Sequence, residues 1–163
     1  MKNNLGPDMC VPCGEGIVNL RVGAIIQKDG KILMVKNFRD YCYSVDGRIR
    51  MGETAEQAIV REVFEETGTV MTVDRLGFVH ENYFYGDGES NLGKTIYEIS
   101  FYFFMNAPDD FQPVCGSFTA EGVREELVWL DPHGDVKYYP EFFRTALDEP
   151  ADGVRFFFSD DRT

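Results

Sequence analysis

The chain has 163 residues, of which 44% are hydrophobic and 14% aromatic, and it carries a formal net charge of −12. That length suits one domain with a core of its own, and the apolar share excludes a disordered segment. The acidic balance disfavours binding to nucleic-acid backbone, which needs clustered Lys and Arg, and no apolar run is long enough to span a membrane.

Residues 1–16 read as an N-terminal tail, ahead of a single domain over 17–163. The tail has no basic stretch followed by an apolar one, so it does not read as a signal peptide, and the expected setting is the cytoplasm with reduced cysteines. It contains Cys10-Val-Pro-Cys13, half of a zinc knuckle. The second pair is missing, since Cys42 and Cys115 stand singly. A zinc-dependent interaction protein is the function this pair would serve, and without the second pair the cysteines are expected not to form a structural metal site.

From Ile17 to Gln27 apolar residues alternate as in a strand, with Val22, Ala24 and Ile26 on one face. Asp29-Gly30 is a hairpin turn signal, and Lys31 to Phe38 returns as a strand apolar on both faces. Tyr41 to Val45 is a short aromatic strand leading to Gly47. Beyond the central helix, Val70 to Tyr85 and Lys94 to Met105 read as strands, the first with a break near Asp74-Arg75. Asn106 to Gly122 has little periodicity. Glu125 to Leu130 is a strand around Trp129, Pro140 to Leu147 a second helix, and Val154 to Phe158 a last strand or tail. Strands on both sides of a central helix predict an α+β layered domain.

The stretch from Gly47 to Thr69 is the most informative. Thr54 with Gln57 is a capping-box pattern, and Gly68 is a left-handed stop. At 3.6 residues per turn, Glu62, Glu65 and Glu66 fall on one arc, on the side of Ala55, Ala58 and Ile59. Like charges at i,i+4 repel by about 0.2–0.5 kcal/mol per pair, and negative charge is unfavourable near a helix C-terminus. A bound hard cation accounts for such a cluster, because Mg²⁺ and Mn²⁺ prefer carboxylate oxygens. Arg61 beside the acids can orient one of them in a bidentate pair.

Gly47, then Glu53, then Arg61-Glu62-Val63-Phe64-Glu65-Glu66-Thr67-Gly68 resembles the Nudix box, G-x5-E-x7-R-E-U-x-E-E-x-G-U. Every charged and glycine position of that signature is matched. Thr69 stands where an aliphatic is usual, Arg50 where many members have an acid, and Asp46 where many have a second glycine. The resemblance implies an α/β/α sandwich around a mixed sheet. It also implies a Mg²⁺- or Mn²⁺-dependent hydrolase that cleaves the pyrophosphate bond of a nucleoside diphosphate linked to another group, such as a nucleoside triphosphate or ADP-ribose. Divalent ions offset the charge of a pyrophosphate and polarise its phosphoryl oxygen. By the same resemblance Glu62, Glu65, Glu66 and the Gly47 carbonyl are metal ligands, and Glu53 with Arg61 holds loop and helix together. A nucleotide-binding sensor without catalysis is the alternative, although binding alone does not require all of these glutamates. The partner is a small molecule, and a homodimer is a common arrangement in the family.

Outside the box, Glu125 and Glu126 are candidates for a further ligand or base, or form a solvated strand entry. Arg21, Arg48 and Arg50 are candidate phosphate contacts. Tyr83, Phe84, Tyr85 and Tyr97 could stack a base or belong to the core. His80 has no nucleophile beside it in the pattern and reads as structural.

Overall fold

The computed structural model describes residues 5–36, 38, 40–113, 125–149 and 152–162. Its strands are β1 (Cys10–Cys13), β2 (Gly16–Ile25), β3 (Gln27–Lys28), β4 (Lys31–Lys36), β5 (Cys42–Ser44), β6 (Asp46–Arg48), β7 (Thr72–Tyr85), β8 (Thr95–Asn106), β9 (Glu126–Leu130), β10 (Tyr138–Tyr139) and β11 (Arg155–Asp160). The helices are α1 (Ala55–Thr67) and α2 (Phe143–Ala146).

Two mixed sheets result. One runs β1-β2-β8-β7-β11, with β6 also on β2; the other runs β10-β5-β4-β3, with β9 on β4. The pairs β2–β8, β7–β11 and β5–β10 are parallel, and the remaining pairs are antiparallel. The sheets are joined by backbone hydrogen bonds from Ala24 to Val45 (2.7 Å) and from Leu33 to Ile26 (2.9 Å).

Because successive strand side chains point to opposite faces, β2 and β4 each serve two cores. Val22, Ala24, Leu33 and Val35 pack with Ala58, Ile59 and Val63 of α1. Ile25, Ile32 and Met34 pack on the other side with Phe78, Tyr102, Tyr138 and Phe143. The strand expected to be apolar on both faces is therefore the one covered on both faces, and the layering is α/β/α. Burying a side chain of this size contributes about 1.5–3 kcal/mol relative to leaving it exposed.

Several elements differ from the expectation. The segment read as tail carries β1, whose backbone pairs with Gly16–Asn19 of β2. The second helix is a single turn, because Pro140 to Phe142 form a turn ahead of it. The two-residue β10 was not foreseen, since so short a run has no period to detect. The expected break in β7 is a register shift between Val73 and Arg75. Cys115 and the rest of the aperiodic stretch after Pro113 lie outside the described residues. Among the described residues no helix is long and apolar enough to cross a membrane.

Candidate active site

Helix α1 starts and stops where its sequence dictates. Thr54 Oγ1 accepts from Gln57 N (3.2 Å), and Gln57 Oε1 accepts from Thr54 N (2.9 Å). Gly68 ends the helix at φ 70°, a left-handed conformation that glycine adopts without a Cβ clash. The buried residues Ala58, Ile59 and Val63 lie beside the acids, whereas Phe64 is 50% exposed. The acid-bearing side of the helix thus adjoins the core, and an aromatic residue faces out.

Glu62 approaches β6 so closely that a Cβ built on Gly47 would overlap its carboxylate. Glycine at 47 therefore leaves room for the Glu62 carboxylate against this backbone, and a larger residue would make that carboxylate shift. Arg61 ties the loop to the helix. Its guanidinium donates to Glu53 through Nε (3.0 Å) and Nη2 (2.6 Å), and to the Arg48 carbonyl (2.9 Å). It also donates through Nη1 to Glu62 (2.6 Å) and Glu65 (3.2 Å). Glu53 accepts in addition from the Arg50 backbone N–H (2.8 Å). These interactions prevail over the cost of burial and hold the Glu53 carboxyl below its ordinary range.

Glu66 is the opposite case. Its Oε2 is buried and has no hydrogen-bond partner. Burial, then Asp46, Glu125 and Glu62, push its pKa well above the ordinary glutamate range. Burial likewise raises Glu62, against the pull of Arg61. Among the described residues no set of three Asp, Glu, His or Cys side chains is already spaced around a cation, since Glu62 and Glu65 face Arg61. The donor set nevertheless fits a hard divalent ion: an orphaned buried carboxylate oxygen, adjacent carboxylates of raised pKa and a glycine backbone free of side chain.

The other expected residues take distinct places. Arg21 is paired with Asp46 and lies 3.9 Å from Glu98. Arg48 reaches Asn19 (3.3 Å) and Asp8 (3.6 Å), and Arg50 reaches Asp8 and Glu65 (3.6 Å each). Glu125 is buried and accepts from the Tyr43 hydroxyl, while Glu126 is exposed opposite Lys36. Strand alternation thus separates two acids that are adjacent in sequence. Tyr83 and Tyr97 pack against each other at 4.8 Å. Phe84, Tyr85 and His80 instead border a cleft of about 550 Å³, together with Tyr43, Asp46 and Glu98. His80 hydrogen-bonds Ser159 (2.8 Å).

Asp46 and Glu98 were not among the expected site residues. Asp46 was noted only as a departure from the box. Glu98 sat in a strand whose aromatic content hid it, although alternation places it on the same face as Ile96 and Ser100. Among the described residues the cysteines Cys10, Cys13 and Cys42 are unpaired, with Cys13 exposed and Cys42 buried. A Cys10→Ser/Cys13→Ser variant is expected to melt within about 1 °C of wild type and to keep its metal content, as measured by calorimetry and elemental analysis.

The fold has solved counterparts. An ADP-ribose pyrophosphatase from Streptococcus suis superposes with a TM-score of 0.55 at 17% identity, over 85% of this chain and 98% of that one. A MutT NUDIX hydrolase from Burkholderia pseudomallei does so at 0.53 and 20%, over 82% and 98%. The family model for the NUDIX domain matches residues 19–144. The chain belongs to the NUDIX family. A protein of Methanocaldococcus jannaschii named ADP-ribose pyrophosphatase is 42% identical over 59 residues, which are 34% of this chain and 35% of that protein. The chain spans 35–40% of the length of the curated relatives it matches.

Proposed function

We propose that the chain is a pyrophosphohydrolase that uses Mg²⁺ or Mn²⁺ to cleave the phosphoric anhydride bond of a nucleoside diphosphate linked to another moiety. The observation that carries this reading is the buried, unpartnered oxygen of Glu66 at the centre of a carboxylate cluster. An isolated buried carboxylate is costly unless a cation or a proton joins it. Glu62, Glu65, Glu66 and the Gly47 carbonyl would hold the ion. When bound, it would offset phosphate charge and polarise the phosphoryl oxygen under attack. Arg61 and Glu53 are positioning residues, because their contacts run to the loop and to the acids. Glu125 is the acid outside the box best placed to take a proton, since it is buried beside Glu66 and held by Tyr43. Arg48, at the end of β6, and Arg50, on the loop between β6 and α1, are the candidate phosphate contacts.

The relatives' names make ADP-ribose the first substrate to try. Nucleoside triphosphates, nucleotide sugars and dinucleoside polyphosphates complete a panel, assayed with Mg²⁺, with Mn²⁺ and with EDTA. Turnover of one or more compounds that EDTA abolishes is the expected result. Absence of turnover across the panel with both metals would overturn the proposal.

Metal binding should also register without substrate. A ligand held only by the native state adds about 2.7 kcal/mol at a hundredfold excess over Kd. At this chain length that is a rise of roughly 5–10 °C in Tm. Scanning calorimetry with millimolar Mg²⁺ should show it. An equal rise in Glu62→Gln/Glu66→Gln would place the ion elsewhere.

A further inference from the structure

The cleft of about 550 Å³ next to α1 has an unusual charge balance. Asp46 joins the two sites: its backbone precedes Gly47, its side chain borders the cleft, and its charge acts on Glu66. A substrate whose phosphates lie at α1 can extend its remaining moiety past Asp46 into this cleft. Among the described residues that line it, none is Lys or Arg. Its acids are Asp46, Asp87, Glu98, Glu141 and Asp161. At the inner wall, two of these carboxylates, Asp46 and Glu98, share one guanidinium, Arg21. His80 does not restore balance, since burial lowers its pKa and favours the neutral ring. The acceptor side is generous: beyond the carboxylates, the Asn82 side-chain oxygen is buried without a hydrogen-bond partner. The remaining surface is aromatic. Tyr41 and Tyr139 meet edge to face at 5.3 Å, and Phe84, Tyr85 and Phe142 stand nearby.

We propose that this cleft receives a non-anionic, donor-rich moiety of the substrate, either an amino-bearing nucleobase or a hydroxylated sugar, and rejects one that carries its own negative charge. The inference rests on the pyrophosphohydrolase reading and narrows its substrate class. Aromatic rings supply flat apolar contact to a base or to a sugar face. Carboxylates and an amide oxygen accept from amino and hydroxyl groups, and a site built of acceptors discriminates strongly against a partner that cannot donate. An anionic group there would meet like charge, which costs enough for discrimination of at least roughly tenfold.

Two matched pairs test it on the full chain. UDP-glucose and UDP-glucuronate differ by a carboxylate on the sugar. GTP and XTP differ at the base, where xanthine lacks the amino group and ionises readily. With Mg²⁺ present, kcat/KM should favour the neutral member at least roughly tenfold in one pair, and that pair identifies the end that enters the cleft. Glu141→Gln/Asp161→Asn should narrow the preference in the same pair. Equal use of both members in both pairs would overturn the inference, as would a preference untouched by the double variant. If no compound is turned over with either metal, the hydrolase reading falls on its own. Equilibrium dialysis of the same compounds in EDTA then decides the inference: tighter retention of a neutral member supports it, and equal or absent retention overturns it.

Discussion

Glu66→Gln and Glu62→Gln are each expected to lose at least about 10²–10³ in kcat while remaining folded. Both keep the side-chain shape and remove a charge. Glu66 is the buried acid whose Oε2 has no partner in the protein, and Glu62 lies over the Gly47 backbone. With fewer carboxylates to hold the cation, the substrate's phosphates lose compensating charge as charge builds up in the transition state. Glu53→Gln should lose less, since its contacts run to Arg61 and the loop backbone. Assaying Glu125→Gln and Glu126→Gln beside them separates the buried acid from the exposed one, and only Glu125→Gln should impair turnover. The check is kcat for all five variants on the substrate that the panel reveals, with circular dichroism for folding. Near wild-type turnover in both Glu62→Gln and Glu66→Gln would remove α1 from the mechanism.

The same substitution has a stability signature of opposite sign. The folded-state pKa of Glu66 is raised, so the folded protein holds its proton more tightly than the unfolded chain does. In metal-free protein its stabilising effect is complete below the ordinary glutamate pKa and is lost as pH rises through the raised folded value. Glu66→Gln should therefore melt higher than metal-free wild type at pH 7, and it should gain less from Mg²⁺. Denaturation in EDTA and in Mg²⁺ distinguishes this pattern from general damage, which would lower Tm in both.

Arg61→Ala is expected to destabilise the fold by about 3–5 kcal/mol, the cost of removing one partner from a buried ion pair. The Glu53 side chain is only 4% exposed and that of Arg61 only 15%, so solvent replaces little of what is lost. The substitution also strips the Arg48 carbonyl of its guanidinium donor and releases Glu62 and Glu65. Arg61→Lys should recover part of the stability, because an ammonium keeps the charge but not the forked geometry. Urea denaturation measures both. A loss under about 1 kcal/mol for Arg61→Ala would show that the loop and helix are held by packing alone.

The sequence by itself determined the helix and the shared side on which its acids lie. A capping box, a glycine stop and acids at i, i+3 and i+4 are local features, and local spacing decides which side chains share a helix face. The two-sided apolar strand Lys31–Lys36 was legible for a similar reason, since a strand buried on both faces shows as an unbroken apolar run. What lay beyond the sequence depends on pairing between distant residues. Parallel pairing of β2 with β8 puts Arg21 opposite Ser100 and brings Glu98 within reach of its guanidinium. Pairing of β9 with β4 places Glu125 just ahead of β9, where it is buried beside Tyr43. No local period encodes either meeting. The acid at 66 could be named from its position in the box, but its orphaned oxygen and its acidic neighbours could not. Burial and the encounter of Asp46, Glu62, Glu66 and Glu125 are properties of the packed chain, and desolvation, the largest cause of the raised Glu66 pKa, exists only once the sheets and the helix enclose the site.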